Sequence, residues 1–268
     1  VARSRWFSTT PIGGPAGQEA FVNAAVRVET ALSPSQLLAT LREVETALGR
    51  QRRQRWAARS VDLDLLLFDD LVLRSADLEL PHPRMAFRRF VLEPAADVAA
   101  DMVHPVIGWT VGQLLSHLNS AANYIAVTGV PGMGKTHLAQ EVAAQTASRF
   151  LADPAPGLSS KVVLDQQFAA EEWRWRQRAE MLSRRRWPAE SPAAVSDFWL
   201  GQSVAYSRLW PDGQQQAEFA AVCQAADAEA VQPKLLVLLD APAVPDRGQI
   251  VRAELRRRGV YAGQAEPD

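Results

Sequence analysis

Apolar and polar positions alternate along residues 21–32, where Val22, Ala24, Val26, Val28 and Thr30 fall on one face and predict a strand. Residues 6–14 (WFSTTPIGG) read as a shorter strand that closes in a Pro/Gly turn. The period then changes. Ser33-Pro34 has an N-cap residue followed by a first-turn proline, and Leu37, Leu38, Leu41, Val44, Glu45 and Leu48 recur at helical spacing until Gly49. Residues 61–68 (VDLDLLLF) read as a buried-sheet strand, residues 71–80 as a short hairpin partner and a connecting strand, and residues 87–92 as the lead into a last strand or helix. Residues 110–118 predict a short amphipathic helix. This order suits an α+β sandwich of the ferredoxin-like type.

One stretch in that first half has a charge pattern that packing does not explain. Arg50, Arg52, Arg53, Arg55 and Arg59, with Trp56 among them, precede Asp62 and Asp64. On a strand the two aspartates share one face, roughly 6.5–7 Å apart at the Cα level. Such a pair can hold Mg2+ through carboxylate oxygens, with substrate phosphates completing the shell. Arginines just upstream could grip a polyphosphate bidentately. The same pattern also fits a solvated strand face beside a solvated loop.

Composition narrows the classes. A length of 268 residues allows one large or two ordinary domains. A net charge of −1 offers no bulk attraction to nucleic acid or an anionic membrane, so neither is expected as a partner. The single Cys223 excludes an internal disulfide framework and suits a reducing cytoplasm. No apolar run approaches the ~20 residues of a membrane span.

Residues 6–118 resemble the 6-hydroxymethyl-7,8-dihydropterin pyrophosphokinase family. The likeness is carried by TTPIGG, the FVN segment, LREVETALGR, RSVDLDLLLF, LPHPRM and RFVLEP. It implies pyrophosphoryl transfer from ATP to a pterin alcohol in folate biosynthesis, with two Mg2+. By the same resemblance Asp62 and Asp64 are the magnesium ligands. His82 and Arg88 contact ATP phosphates, with Glu45, Arg55 and Trp56 also on the nucleotide side. Arg59 meets the transferred group, and Arg50 lies in a catalytic loop. Thr9, Ile12, Asn23 and Phe90 form the pterin pocket. Taken singly, Phe90 also fits a core position, Asn23 a strand-end hydrogen-bonder and His82 a loop histidine. The family's opening strand and its Gly-Ser-Asn turn have no counterpart here.

Residues 121–123 read as a linker, and the second half opens with the apolar run 124–128. Gly129, Gly132, Gly134, Lys135 and Thr136 follow in the spacing G-x-x-x-x-G-K-T, with a helical pattern over residues 136–147. Strand, glycine loop and helix N-terminus together are the context of a P-loop. There backbone N–H groups cradle phosphates, the lysine reaches the β/γ oxygens and the threonine ligates Mg2+. Residues 158–187 read as mostly helix, with Trp173, Trp175 and Trp187 as core; residues 195–199 and 235–240 read as buried strands. Residues 123–262 resemble the deoxynucleoside kinases. The resemblance implies a nucleoside substrate, Asp153 as base, Gln177 reading the nucleobase edge, and residues 252–258 as a basic lid. Asp153 and Gln177 equally fit a loop acid and a solvated helix glutamine. The family's Glu-Arg-Ser is here Ser-Asp-Phe, with Asp197 in the acidic place and no arginine beside it.

The expectation is therefore a bifunctional cytoplasmic enzyme, a piece lacking both ends of a longer protein. Residues 1–120 form its pterin pyrophosphokinase domain and residues 121–268 an incomplete kinase-like P-loop domain that makes a homodimer plausible. Two alternatives stay open: a deoxynucleoside kinase carrying a degenerate pterin domain, or a non-catalytic P-loop module attached to the folate enzyme.

Overall fold

The computed structural model describes residues 1–10, 19–49, 61–154, 167–187, 191–227, 229–239 and 262–264. Ile12, Arg50, Arg55, Trp56, Arg59 and the basic segment 252–258 lie outside the described residues. The chain divides into two compact units, Val1–Asn119 and Ser120–Asp268. No helix among the described residues is long and apolar enough to cross a membrane.

In the first unit, β1 (Ala2–Arg3) pairs antiparallel with β4 (Val26–Arg27), and β2 (Phe7–Thr9) with β3 (Phe21–Asn23). The alternating run from Phe21 is thus broken after Asn23 rather than forming one strand to Leu32. Helix α1 (Pro34–Ala47) starts where Ser33-Pro34 predicts. The Ser33 hydroxyl accepts from the Gln36 N–H, and the Gln36 side chain accepts from the Ser33 N–H. Gly49, at φ +80°, ends it in the left-handed region that glycine adopts without strain. Strands β5 (Leu73–Arg74) and β6 (Glu79–Leu80) form the expected hairpin. Residues 87–92 enter a helix, α2 (Arg89–Ala99), and α3 (Val111–Ser120) is capped by Thr110, whose hydroxyl accepts from the Gln113 N–H. The core of this unit is Leu80, Met85, Leu92, Ala95, Val111 and Leu114, all at most 5% exposed.

Residues 61–68 are not a strand. Among the described residues this unit holds three separate two-stranded ladders, and none includes the segment. Two of the bonds that hold it reach other elements. The Leu63 N–H donates to Glu45 Oε1 at 2.7 Å, and the Leu66 carbonyl accepts from the His82 N–H at 2.8 Å. A strand exists by virtue of a partner, which local alternation cannot supply. The alternation itself holds: Asp62 and Asp64 are exposed, Val61, Leu63 and Leu65 half-buried.

The second unit is an α/β layer structure. Strands β7 (Ala122–Gly129), β8 (Arg149–Leu151), β9 (Ala194–Ser196), β10 (Pro233–Leu239) and β11 (Ala262–Gln264) form one parallel sheet in the order β11-β10-β7-β9-β8. Ala122 and Asn123 belong to β7, so the expected linker is already sheet. Successive residues of a strand face opposite sides. Tyr124, Ala126, Leu236 and Leu238 therefore pack with Trp175, Val204, Phe219 and Cys223 of α5 (Gln167–Met181), α6 (Gly201–Ser207) and α7 (Gly213–Asp227). Val127 and Val195 pack on the other side with Ala139 and Ala143 of α4 (Lys135–Gln145). Trp175 and Trp187 are core as expected, but Trp173 is 42% exposed and is not.

His104 lies in the first unit, 5% exposed, and its Nδ1 accepts from the Ile107 N–H. Burial pushes its pKa down from 6.5 to about 4. The unfolded chain then binds a proton that the folded one refuses, so the stability tied to His104 is complete above pH 6.5 and is lost as pH falls toward 4. Chemical denaturation of the protein at pH 7 and pH 4 should show first-unit stability falling by on the order of 2–3 kcal/mol from this group. His104→Asn should flatten that part of the pH slope.

Candidate functional sites

In the first unit the segment after α1 brings the expected acids to the expected cations. Glu45 is the one side chain of α1 that is buried, 4% exposed, because it sits on the stripe that includes Leu41. Its carboxylate holds the Leu63 N–H, between the two aspartates. A buried carboxylate without donors costs several kcal/mol, so this bond fixes the segment as much as it satisfies the acid. His82 follows on the loop after β6. Its Nε2 is 3.8 Å from Asp64 Oδ2, and its Nδ1 accepts from the Arg84 N–H at 3.2 Å. That contact leaves the proton of neutral His82 on Nε2, the nitrogen facing Asp64.

Electrostatics keep His82 neutral. Burial lowers its pKa most, Asp64 opposes that, and Arg88 and Arg84 lower it further. Arg88 is also lowered from its ordinary value, first by burial and then by Arg84, while Asp64 and Asp62 raise it. Asp62, Asp64, His82 and Arg88 thus act on one another across 26 residues of sequence, Asp62 to Arg88. The Arg88 guanidinium lies 5.5 Å from the centroid of the Phe90 ring. Elsewhere in the unit, Asn23 Nδ2 donates to Thr9 Oγ1 at 2.7 Å across the β2–β3 pair, so these two of the four pterin-pocket candidates form one polar patch. Arg84, inside the LPHPRM segment, has no role in the sequence reading, yet it lowers the pKa of both His82 and Arg88.

In the second unit the strands present their carboxyl ends together, where parallel α/β sheets bind ligands. Gly129 closes β7 at φ +136°, and a Cβ there would collide with the Leu239 carbonyl of β10. Gly132 and Gly134 also have positive φ, +87° and +77°, and Gly134 is the N-cap of α4. The loop is the glycine turn that the sequence predicts. Lys135 Nζ donates to the Val130 carbonyl at 3.1 Å, and burial lowers its pKa against the pull of Asp153 and Asp197. Thr136 Oγ1 donates to Asp197 Oδ2 at 2.6 Å. Asp197, 5% exposed, also takes the Asp153 N–H on Oδ1 at 2.6 Å. Asp153 is therefore next to the loop, whereas Gln177 is exposed on α5.

Sequence reasoning missed the cation of this site. Arg178 of α5, 2% exposed, forks onto both oxygens of Asp153, with Nε–Oδ1 2.8 Å and Nη2–Oδ2 2.7 Å. The available signal was its spacing from buried Trp175 and Leu182, which puts a guanidinium on the apolar face of the helix.

Glu45→Gln should separate position from charge in the first unit. The amide oxygen can still accept from Leu63, but the bond loses its ionic strength, so a loss of about 1–2 kcal/mol is expected. Glu45→Ala should cost more and speed hydrogen exchange at Leu63. Unchanged exchange at Leu63 in Glu45→Ala would remove the pinning role.

Comparison with known proteins bears on the family of the first unit. A family model described as 7,8-dihydro-6-hydroxymethylpterin-pyrophosphokinase (HPPK) matches residues 1–100. The 2-amino-4-hydroxy-6-hydroxymethyldihydropteridine pyrophosphokinase of Synechocystis sp. is 38% identical over 127 residues, 47% of this chain and 64% of its own length. The Haemophilus influenzae protein of that name is 39% identical over 105 residues, 39% of this chain and 65% of its own. The chain spans just under two thirds of these two relatives. It covers 78% of the Pseudomonas aeruginosa protein of that name, at 39% identity over 132 residues and 49% of this chain. Among solved structures, a deoxyadenosine kinase from M. mycoides aligns over 51% of this chain and 71% of its own, at 12% identity and a TM-score of 0.36. At that likeness the character of the second unit rests on its own sheet and loop. The relatives, and the acids and cations gathered around residues 62–88, place this chain in the 7,8-dihydro-6-hydroxymethylpterin-pyrophosphokinase family.

Proposed function

We propose that the first unit transfers pyrophosphate from ATP to 6-hydroxymethyl-7,8-dihydropterin. The observation that carries this reading is the gathering of Asp62, Asp64, His82 and Arg88 around a segment held by Glu45. The two exposed aspartates fit Mg2+, a hard ion that takes carboxylate oxygens and leaves the rest of its shell to phosphates and water. Among the described residues no group of three or more His, Cys, Asp or Glu could hold a metal by itself. Asp62 and Asp64 would hold two such ions with ATP, which would neutralise phosphate charge and align the transferred group.

The remaining roles follow from each side chain's chemistry. Arg88, charged and half-buried, supplies a fork for phosphate oxygens. His82, neutral with its proton on Nε2, donates one hydrogen bond without adding a full charge. Asn23 has its amide N–H2 engaged by Thr9, so its carbonyl oxygen remains to accept from a pterin ring edge. One face of Phe90 carries the Arg88 guanidinium, and the other suits a flat pterin. The reading takes this unit as ferredoxin-like, supported by its antiparallel ladders and by α2, which packs on β1–β4. Ile12, Arg50, Arg55, Trp56 and Arg59 keep the roles that the resemblance implies.

The second unit, in the same reading, binds ATP at its P-loop and phosphorylates a deoxynucleoside. Lys135 and Thr136 stand at the N-terminus of α4, beside the acids at the ends of β8 and β9.

The test of the first unit is ATP-dependent AMP release with 6-hydroxymethyl-7,8-dihydropterin. Asp62→Ala/Asp64→Ala should lower the rate by on the order of 10²–10³-fold. Failure of the folded parent to release AMP, or a double variant as fast as the parent, would overturn the reading.

A further inference from the structure

A chain of hydrogen bonds in the second unit runs from α5 to the P-loop. Glu171 Oε1 accepts from the Ser203 hydroxyl at 2.6 Å, and Ser203 Oγ accepts from Arg178 Nη1 at 2.6 Å. Arg178 holds Asp153 by both oxygens, the Asp153 N–H donates to Asp197, and Asp197 accepts from Thr136. The links tie together five elements: α5, which holds both Glu171 and Arg178, α6, the end of β8, the end of β9 and the first turn of α4. The Arg178 guanidinium also lies 5.6 Å from the centroid of the Phe198 ring, which closes one of its flat faces.

We propose that Arg178 is the positioning residue of phosphoryl transfer in this unit: it fixes the Asp153 carboxylate as the base for an acceptor hydroxyl beside the P-loop. The proposal rests on reading this unit as an ATP-dependent kinase of a nucleoside hydroxyl. Arg178 is too buried to meet an acceptor, at 2% side-chain exposure, whereas Asp153 is 30% exposed and can. The fork engages one lone pair on each Asp153 oxygen and stops the carboxylate from rotating. The second lone pair of each oxygen remains for a substrate proton. Because Asp197 joins the Asp153 backbone to Thr136, the base and the phosphate loop keep a fixed separation. That is the condition under which orientation accelerates transfer.

In the step, the acceptor oxygen bonds to the γ-phosphorus of ATP as the bond from that phosphorus to the β,γ-bridging oxygen breaks. ADP departs with the electron pair of the broken bond, and the acceptor's proton passes to Asp153.

The full chain is assayed with MgATP and each of deoxyadenosine, deoxycytidine, deoxyguanosine and thymidine, following ADP and the 5′-phosphorylated product. Arg178→Lys keeps the charge and loses the fork. It should lower kcat about 10–100-fold with the KM for MgATP within about threefold. Asp153→Asn should fall at least as far, and the double variant should fall no further, since both act through one carboxylate. Ser203→Ala leaves the Arg178–Asp153 pair in place and should cost about three- to tenfold in kcat. It replaces Arg178→Lys if circular dichroism shows that variant unfolded. An unchanged kcat in the folded variant, or additive losses in the double variant, overturns the proposal. A parent that phosphorylates none of the four overturns the kinase reading beneath it, and the proposal with it.

Discussion

A charged side chain forced into a protein interior must find its partners there, and in this chain that requirement shapes both candidate sites. Glu45 and Arg178 lie on the apolar stripes of their helices, 4% and 2% exposed. Left alone, either would cost several kcal/mol in desolvation. Each is satisfied instead by the segment that bears the site's acids: Glu45 by the backbone between Asp62 and Asp64, Arg178 by Asp153 itself. The helices supply burial, and burial makes the bond to the site segment directional and costly to break. In the first unit this matters most, because no ladder among the described residues holds residues 61–68.

The same principle explains what could be read from sequence and what could not. Local signals transferred faithfully. Ser33-Pro34 capped its helix, Gly49 ended it, and the glycines of the P-loop took positive φ. The side-chain alternation at Asp62 and Asp64 was also legible, since period two depends on the backbone alone. Whether that segment was a strand was not legible, because pairing is a property of two segments and the second lies elsewhere in the chain. The Arg178–Asp153 pair spans 25 residues and was invisible for that reason. Its signal was there in weaker form, as an arginine three residues after Trp175 and four before Leu182, on a face that packing would bury. A charged residue on an apolar stripe asks for a partner without naming it.

The two sites differ in how their negative charge is balanced, and the difference bears on what each needs from its ligands. The Asp153 and Asp197 carboxylates are engaged from within, Asp153 by a buried guanidinium and Asp197 by a backbone N–H and the Thr136 hydroxyl. Their geometry is set before any nucleotide arrives, so binding has little ordering left to do there. Asp62 and Asp64 stand exposed beside a neutral His82 and a half-buried Arg88. Two exposed carboxylates on one side of a segment offer the hard oxygen ligands that a divalent cation takes. A polyphosphate approaching that face would meet repulsion from the acids unless it came with its metal. On the proposed reading the first site suits a metal–nucleotide complex as one unit, and the exposure of its aspartates, which a purely structural acid pair would not require, would let that complex enter.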